Sequence, residues 1–235
     1  MRKIIINVTI FSIAMAFLES SVVVYLRELY YPEGFDFPLV FMEKHIAITE
    51  LLREASTIIM LIYLGILAGK TISEKFAYFL YSFAIWDIFY YVFLKFLLGW
   101  PESIFTWDLL FLIPVAWVGP VISPVIISLT MIIFAQAIIY FNRKKENVKI
   151  LKNEWLVLII GSLVVITAFC WDFTRYFVQQ YSLSGFFNLI KNGEIIELSA
   201  NYIPITFPWL LFWIGEFIIL FGIFKYIRRI YINLK

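Results

Sequence analysis

Six long apolar runs, at residues 4–26, 47–69, 76–98, 119–141, 155–179 and 205–226, constrain this chain more than any motif in it. Each is about the 20 residues that a helix needs to cross the hydrocarbon of a bilayer. Lipid offers no partner to a bare N–H or C=O, so runs of this kind satisfy their backbone internally as α-helices. The chain therefore reads as an all-α integral membrane protein, a bundle of six transmembrane helices forming a single domain over residues 1–235. Composition agrees: 63% of its residues are hydrophobic and 15% charged, against about 25% charged in soluble domains. Aromatic side chains reach 20%, which suits a lipid-facing and interfacial surface. The first run follows Arg2 and Lys3, and Ala14-Met15-Ala16 resembles a signal-peptide cleavage site. We count it as a retained span.

One stretch breaks the helix count. Between Ser103 and Asn142 there is no long polar interruption, yet the stretch is about twice the length of one span and contains Pro114, Pro120 and Pro124. Proline removes a backbone donor and clashes with the preceding turn, so a continuous helix is excluded. The expectation is a short Pro-interrupted half-helix near 104–113, a turn at membrane depth, and then the fourth span. Irregular backbone at that depth must be buried in protein or line a wet cavity, and the plainer alternative is an interfacial hairpin that merely packs.

Charge fixes the expected orientation. With both termini on one side, that side holds Arg2, Lys3, Lys70, Lys75, Arg143, Lys144, Lys145, Lys149, Lys152, Lys225, Arg228, Arg229 and Lys235, most of the 19 basic residues. Of the 17 acidic residues only Glu74, Glu146 and Glu154 fall there. Basic loops stay cytoplasmic, so the termini are expected inside and the protein is expected in the cell (inner or plasma) membrane as a multi-pass chain.

The acidic residues gather in the other half of the membrane. Ionisable groups there are costly and are read as functional candidates. Glu50, Arg53 and Glu54 open the second span at offsets of three and four, so they share a helix face. Asp87 lies in the third span with Tyr90 and Tyr91, and Asp172 in the fifth with Arg175 and Tyr176. Glu19, Glu216 and Asp108 complete the set. If these faces converge they line an outward-facing polar pocket rich in carboxylates and aromatics. Two arginines do not balance that many acids, so some would be protonated or bound to a cation. The competing reading is that each polar residue joins two helices, as Asp172–Arg175 and Glu50–Arg53 ion pairs would.

Other features add less. Trp86-Asp87, Trp107-Asp108 and Trp171-Asp172 repeat a dipeptide, and the first and third extend to Tyr91 and Tyr176; an internal parallel repeat and chance are both open. The single histidine, His45, reads as a solvated or capping residue at the outer mouth, and the single cysteine, Cys170, as a small buried hydrophobe. One of each leaves no disulfide within the chain, no thiolate zinc site and no multi-histidine metal site. Lys191-Asn192-Gly193-Glu194 is a turn signal in an outer loop, 182–204, that could form a hairpin or lid. A net charge of +2 gives no field for nucleic acid. No phosphate-binding loop, nucleophile elbow or zinc motif is present.

These residues support one leading reading and two alternatives. The leading one is a membrane-embedded subunit or binding module for a proton, cation, lipid or quinone. Its expected partners are membrane lipids and other membrane subunits or further copies of itself, with no metal and no named cofactor. The alternatives are a small proton- or cation-coupled transporter, and a membrane enzyme acting on a lipid-linked substrate from the outer face with no single catalytic residue marked.

Overall fold

The computed structural model describes residues 2–40, 43–113, 115–145, 148–192 and 201–232. It contains six helices, each long and apolar enough to cross a membrane: α1 (Arg2–Tyr30), α2 (Lys44–Ala68), α3 (Ile72–Leu98), α4 (Ile122–Lys144), α5 (Lys152–Asn192) and α6 (Trp209–Ile232). Their outer faces carry bare apolar side chains, such as Leu67 at 82%, Phe96 at 85% and Leu210 at 78% exposure. In water such a surface would be strongly unfavourable; against lipid tails it loses nothing. The protein is a six-span α-helical membrane protein.

Alternating spans place the 31–40, 99–113, 115–121 and 201–208 segments at one end of the bundle, hereafter the loop end. The 69–71 and 145–151 connections lie at the other, with both ends of the chain. Helix α3 is central and packs against α1, α2 and α4; α5 pairs with α6, which touches α4. Close approach makes the α5–α6 pair possible. A Cβ added to Gly215 would sit 2.9 Å from Val165 N and 3.0 Å from Gly161 O, distances a side chain does not tolerate. Small residues at such a contact let two backbones pack directly, which drives helix association where no hydrophobic effect operates.

The end away from the loops is closed. Ala77, Tyr78, Phe134, Ile138 and Tyr226 lie in one buried apolar cluster there. Thr71 accepts a hydrogen bond from Glu74 N, and the Glu74 carboxylate accepts from Lys70 N, which starts α3 with a reciprocal cap. Beneath the cluster, Arg229 donates to both oxygens of the fully buried Glu154, at 2.7 and 2.9 Å. That pair ties the start of α5 to the end of α6.

The 99–121 connection departs from expectation. In place of a half-helix over 104–113 there is an antiparallel hairpin, β1 (Trp107–Phe111) and β2 (Trp117–Pro120), with Asp108 opposite Gly119 and Leu109 opposite Val118. The prolines that stop a helix explain the difference, because two paired strands satisfy each other's backbone without a continuous i to i−4 ladder. Further bonds from Val121 N to Thr106 O and Ile122 N to Ile104 O extend the pairing to the start of α4. The hairpin is re-entrant. Phe111 packs against Phe83 and Trp86 well inside α3, and Trp117 stacks on Phe169 of α5 at 6.0 Å. A register irregularity between Leu109 and Phe111 turns Phe111 toward that contact. The expected turn at membrane depth is thus present as strand rather than helix.

A second departure concerns the outer loop. Within the outer loop expected over 182–204, helix α5 kinks at Ser182 (φ 62°) and continues to Asn192. Phe186 and Leu189 bury themselves beside Phe177 and Tyr202, which holds the continuation down. Gly193 and Glu194 of the expected turn lie outside the described residues.

Candidate functional site

The loop-end half of the bundle distributes the twelve expected residues among five places. The largest group joins α1 and α2. Arg53 donates through Nε and Nη2 to Glu50 Oε2 at 2.8 and 2.7 Å, and through Nη1 to Glu19 Oε1. Thr57 Oγ1 donates to the other Glu19 oxygen at 3.1 Å. One turn beyond Glu50, Glu54 Oε2 accepts the Leu112 N–H at the hairpin tip, at 2.9 Å. The spacing of 50, 53 and 54 puts all three on the face that meets α1 and the hairpin.

The second group centres on Asp108, 2% exposed on β1. Tyr91 donates to its Oδ2 at 3.1 Å, and Arg27 Nη2 lies 3.7 Å from its Oδ1. Arg27 sits in the corner of two perpendicular rings, with Cζ 3.8 Å from the Trp100 centroid and 4.4 Å from that of Phe35. Its Nη1 is buried without an acceptor among the described residues. Tyr90 lies between these two groups, within electrostatic reach of Asp108, Arg27, Glu19 and Arg53. Asp87, also within reach of Asp108, accepts from Ser128 Oγ of α4 at 2.8 Å. The two hydrogen-bonded groups, with Tyr90 between them and the Asp87–Ser128 pair beside the second, make up a polar seam of neighbouring but separately bonded groups among α1, α2, α3 and the hairpin.

The other expected residues stand apart. Asp172 on α5 accepts from Tyr202 Oη at 2.8 Å, Ile205 N at 3.1 Å, Thr206 N at 3.2 Å and Thr206 Oγ1 at 3.4 Å. Burial, with the carboxylate beside it, raises the Tyr202 hydroxyl above its ordinary pKa and keeps it a donor. The Asp172–Arg175 ion pair is not formed: Arg175 is exposed, while the Asp172 oxygens are taken by the chain leading into α6. Tyr176 donates to Asn201 O at 3.2 Å. Glu216, 1% exposed, accepts from Thr130 of α4 through Oε1, and its Oε2 has no partner among the described residues.

The Trp-Asp dipeptides occupy unlike settings. Trp86 is buried and Trp171 is 45% exposed, while Asp87 meets a helix, Asp172 a loop, and Asp108 sits on a strand. No shared geometry supports a repeat. His45 is exposed with Nδ1 3.2 Å from Glu43 Oε2, and Cys170 is half-buried rather than buried. No group of three or more acids, histidines or cysteines placed to hold a metal ion occurs among the described residues.

Sequence reasoning passed over Arg27, Thr57, Ser128 and Thr130. Arg27 was legible: it follows Glu19 by eight residues and so repeats on the same stripe of α1. The hydroxyls were less visible, because Ser and Thr are common in membrane helices and satisfy themselves on the preceding turn. Span four offers no carboxylate, and it meets the acids of its neighbours with these hydroxyls instead. An open cleft of about 400 Å³ lies at the loop end, lined by Phe35, Asp36, Phe37, Thr106, Trp107, Ile203 and Pro204. Comparison with protein-family models, curated proteins and solved structures finds no match for this chain.

Proposed function

We propose that this protein is a membrane-embedded binding module whose buried polar seam, in the loop-end half of the bundle, holds protons within a larger assembly. The observation that carries this reading is an imbalance of charge. Glu19, Glu50, Glu54, Asp87 and Asp108 share the seam with only two cations, Arg27 and Arg53. An unpaired buried charge costs several kcal/mol and is relieved by taking up a proton. Protons are the counter-charge this reading assigns to the excess acids, because a carboxyl group neutralises itself by taking one up without further ligands. Tyr90 and Tyr91 bridge the two halves of the seam and give it donors that can reorient as protons come and go.

A binding module is favoured over a through-transporter by what lies beyond Ser128. There the bundle is filled largely by the apolar side chains packed around Ala77, Phe134 and Ile138, and the polar groups on that side, Glu216 with Thr130 and Glu154 with Arg229, pair with one another and make no hydrogen bond to the seam among the described residues. Extramembrane segments are short and no nucleophile motif singles out a catalytic residue, which favours a subunit over a self-sufficient enzyme.

Infrared spectroscopy of the purified protein in nanodiscs tests the seam. The parent is expected to show absorption from protonated carboxyl groups at neutral pH, reduced in Asp87→Asn or Glu54→Gln. A parent spectrum with carboxylate bands alone, or one that neither substitution changes, overturns the reading. Native mass spectrometry of the chain extracted gently from its own membrane tests the assembly. Other polypeptides at fixed stoichiometry are expected; a lone chain or homo-oligomer refutes the subunit role.

A further inference from the structure

We propose that the cleft at the loop end is a second site, separate from the polar seam, that binds an organic ammonium group. Its lining is apolar and aromatic, Phe35, Phe37, Trp107, Ile203 and Pro204, with one carboxylate, Asp36, and one hydroxyl, Thr106. Two of the lining rings, Phe35 and Phe37, meet edge to face at 5.6 Å, and the buried Tyr202 supports Phe37 from behind. Phe35 already holds the Arg27 guanidinium, so the attraction of a cation to a ring face falls to Phe37 and Trp107.

The charge around the cleft selects the sign of the ligand. The segments that surround it, 31–43, 99–121 and 201–208, contain Glu33, Asp36, Glu43, Glu102 and Asp108 and not one lysine or arginine, although Lys95 of α3 reaches Gly99 O and Pro101 O. Asp108 lies against Arg27 and Glu43 against His45, which leaves Asp36, the one carboxylate lining the cleft, without a cationic partner among the ion pairs of the described residues. An anionic or phosphate ligand would meet a field of its own sign, whereas a cation is drawn in and concentrated. The chemistry of the lining narrows the class further. A metal ion or primary ammonium needs several oxygen ligands or acceptors, and the cleft offers one carboxylate and one hydroxyl. A methylated ammonium donates few or no hydrogen bonds, presents apolar methyl groups to rings, and needs only one counter-charge. A volume of about 400 Å³ accommodates such a head and the start of a chain. Two sources share this chemistry, a free quaternary amine and the headgroup of a choline lipid.

The experiment compares choline with 3,3-dimethylbutan-1-ol, its uncharged isostere, by calorimetry on the protein in phosphatidylglycerol nanodiscs. Choline is expected to bind, and the isostere about tenfold more weakly or not at all. Asp36→Asn keeps the Oδ1 acceptor that receives Phe37 N at 2.8 Å, so the loop retains its turn while the charge is lost. It should weaken choline binding several-fold, and Trp107→Leu about tenfold. If choline is not bound, but native mass spectrometry shows phosphatidylcholine retained over phosphatidylglycerol and lost in Asp36→Asn, the ligand is the lipid headgroup and the site stands. Equal binding of choline and its isostere, indifference to Asp36→Asn, or no preference for either choline compound overturns it. Infrared bands of the seam carboxyls should be unchanged by Asp36→Asn, which keeps this test distinct from that of the proton-holding role.

Discussion

Asp172 shows what a carboxylate in a membrane helix can do without serving a ligand. Its two oxygens receive Tyr202 Oη, Ile205 N, Thr206 N and Thr206 Oγ1, so the side chain acts as the anchor of the chain entering α6. Asp172→Asn replaces one acceptor by an amide donor that faces donors. Hydrogen bonds to a charged group contribute about 1.5–3 kcal/mol, and the variant should lose about 2 kcal/mol of stability in thermal unfolding. Proteolysis should strike first within 201–208. Tyr202→Phe removes a single donor and should cost about half as much. If Asp172→Asn unfolds like the parent, the anchor is not what holds this segment. The seam residues respond differently. Removing Arg53 leaves Glu19 and Glu50 facing one another with no cation, and breaking a buried pair from one side costs about 3–5 kcal/mol, so Arg53→Leu should be far more damaging than Arg175→Leu at its exposed position.

Among the elements, the α5–α6 contact depends on having no side chain at Gly161 and Gly215. Gly215→Leu forces the two backbones apart where a Cβ already meets Gly161 O at 3.0 Å, and overpacking of this kind costs about 1–3 kcal/mol. Leu210→Ala on the same helix, 78% exposed, should stay within about 0.5 kcal/mol of the parent. Equal stability of the two variants would show that α5 and α6 are not held by close approach. All six helices were legible in the amino-acid pattern, because a run of apolar residues long enough to span leaves the backbone one way to satisfy itself. The β1–β2 hairpin was not. Trp107–Phe111 is a short apolar run, and over five residues a buried strand and a helical turn look alike. Glu50 with Arg53 was visible as a local pair, since both lie on one helix face. Asp172 with Tyr202 and Arg27 with Asp108 were not, because their partners lie far along the chain in segments whose path the sequence leaves open.

For the molecule as a whole, the basic loops predict a cytoplasmic position for both termini, and labelling tests that orientation. In a Cys170→Ala background, Glu33→Cys should react with a membrane-impermeant maleimide on intact cells, and Lys145→Cys only after permeabilisation. Both positions are exposed, at opposite ends of the bundle. The reverse pattern would invert the protein and place the seam toward the cytoplasm. The re-entrant hairpin also has a consequence for biogenesis. A spanning helix can leave the translocon on its own, since its peptide groups are already paired. Two strands alone cannot enter lipid, because their outer edges remain bare. The tip of this hairpin finds Glu54 on α2, and Trp117 finds Phe169 on α5, a helix synthesised later than the hairpin itself. Residues 99–121 must therefore wait near the aqueous boundary until α5 has been inserted, and only then fold inward. The seating of a segment from the middle of the chain thus comes after the insertion of α5, and a ribosome stalled before α5 should leave it outside.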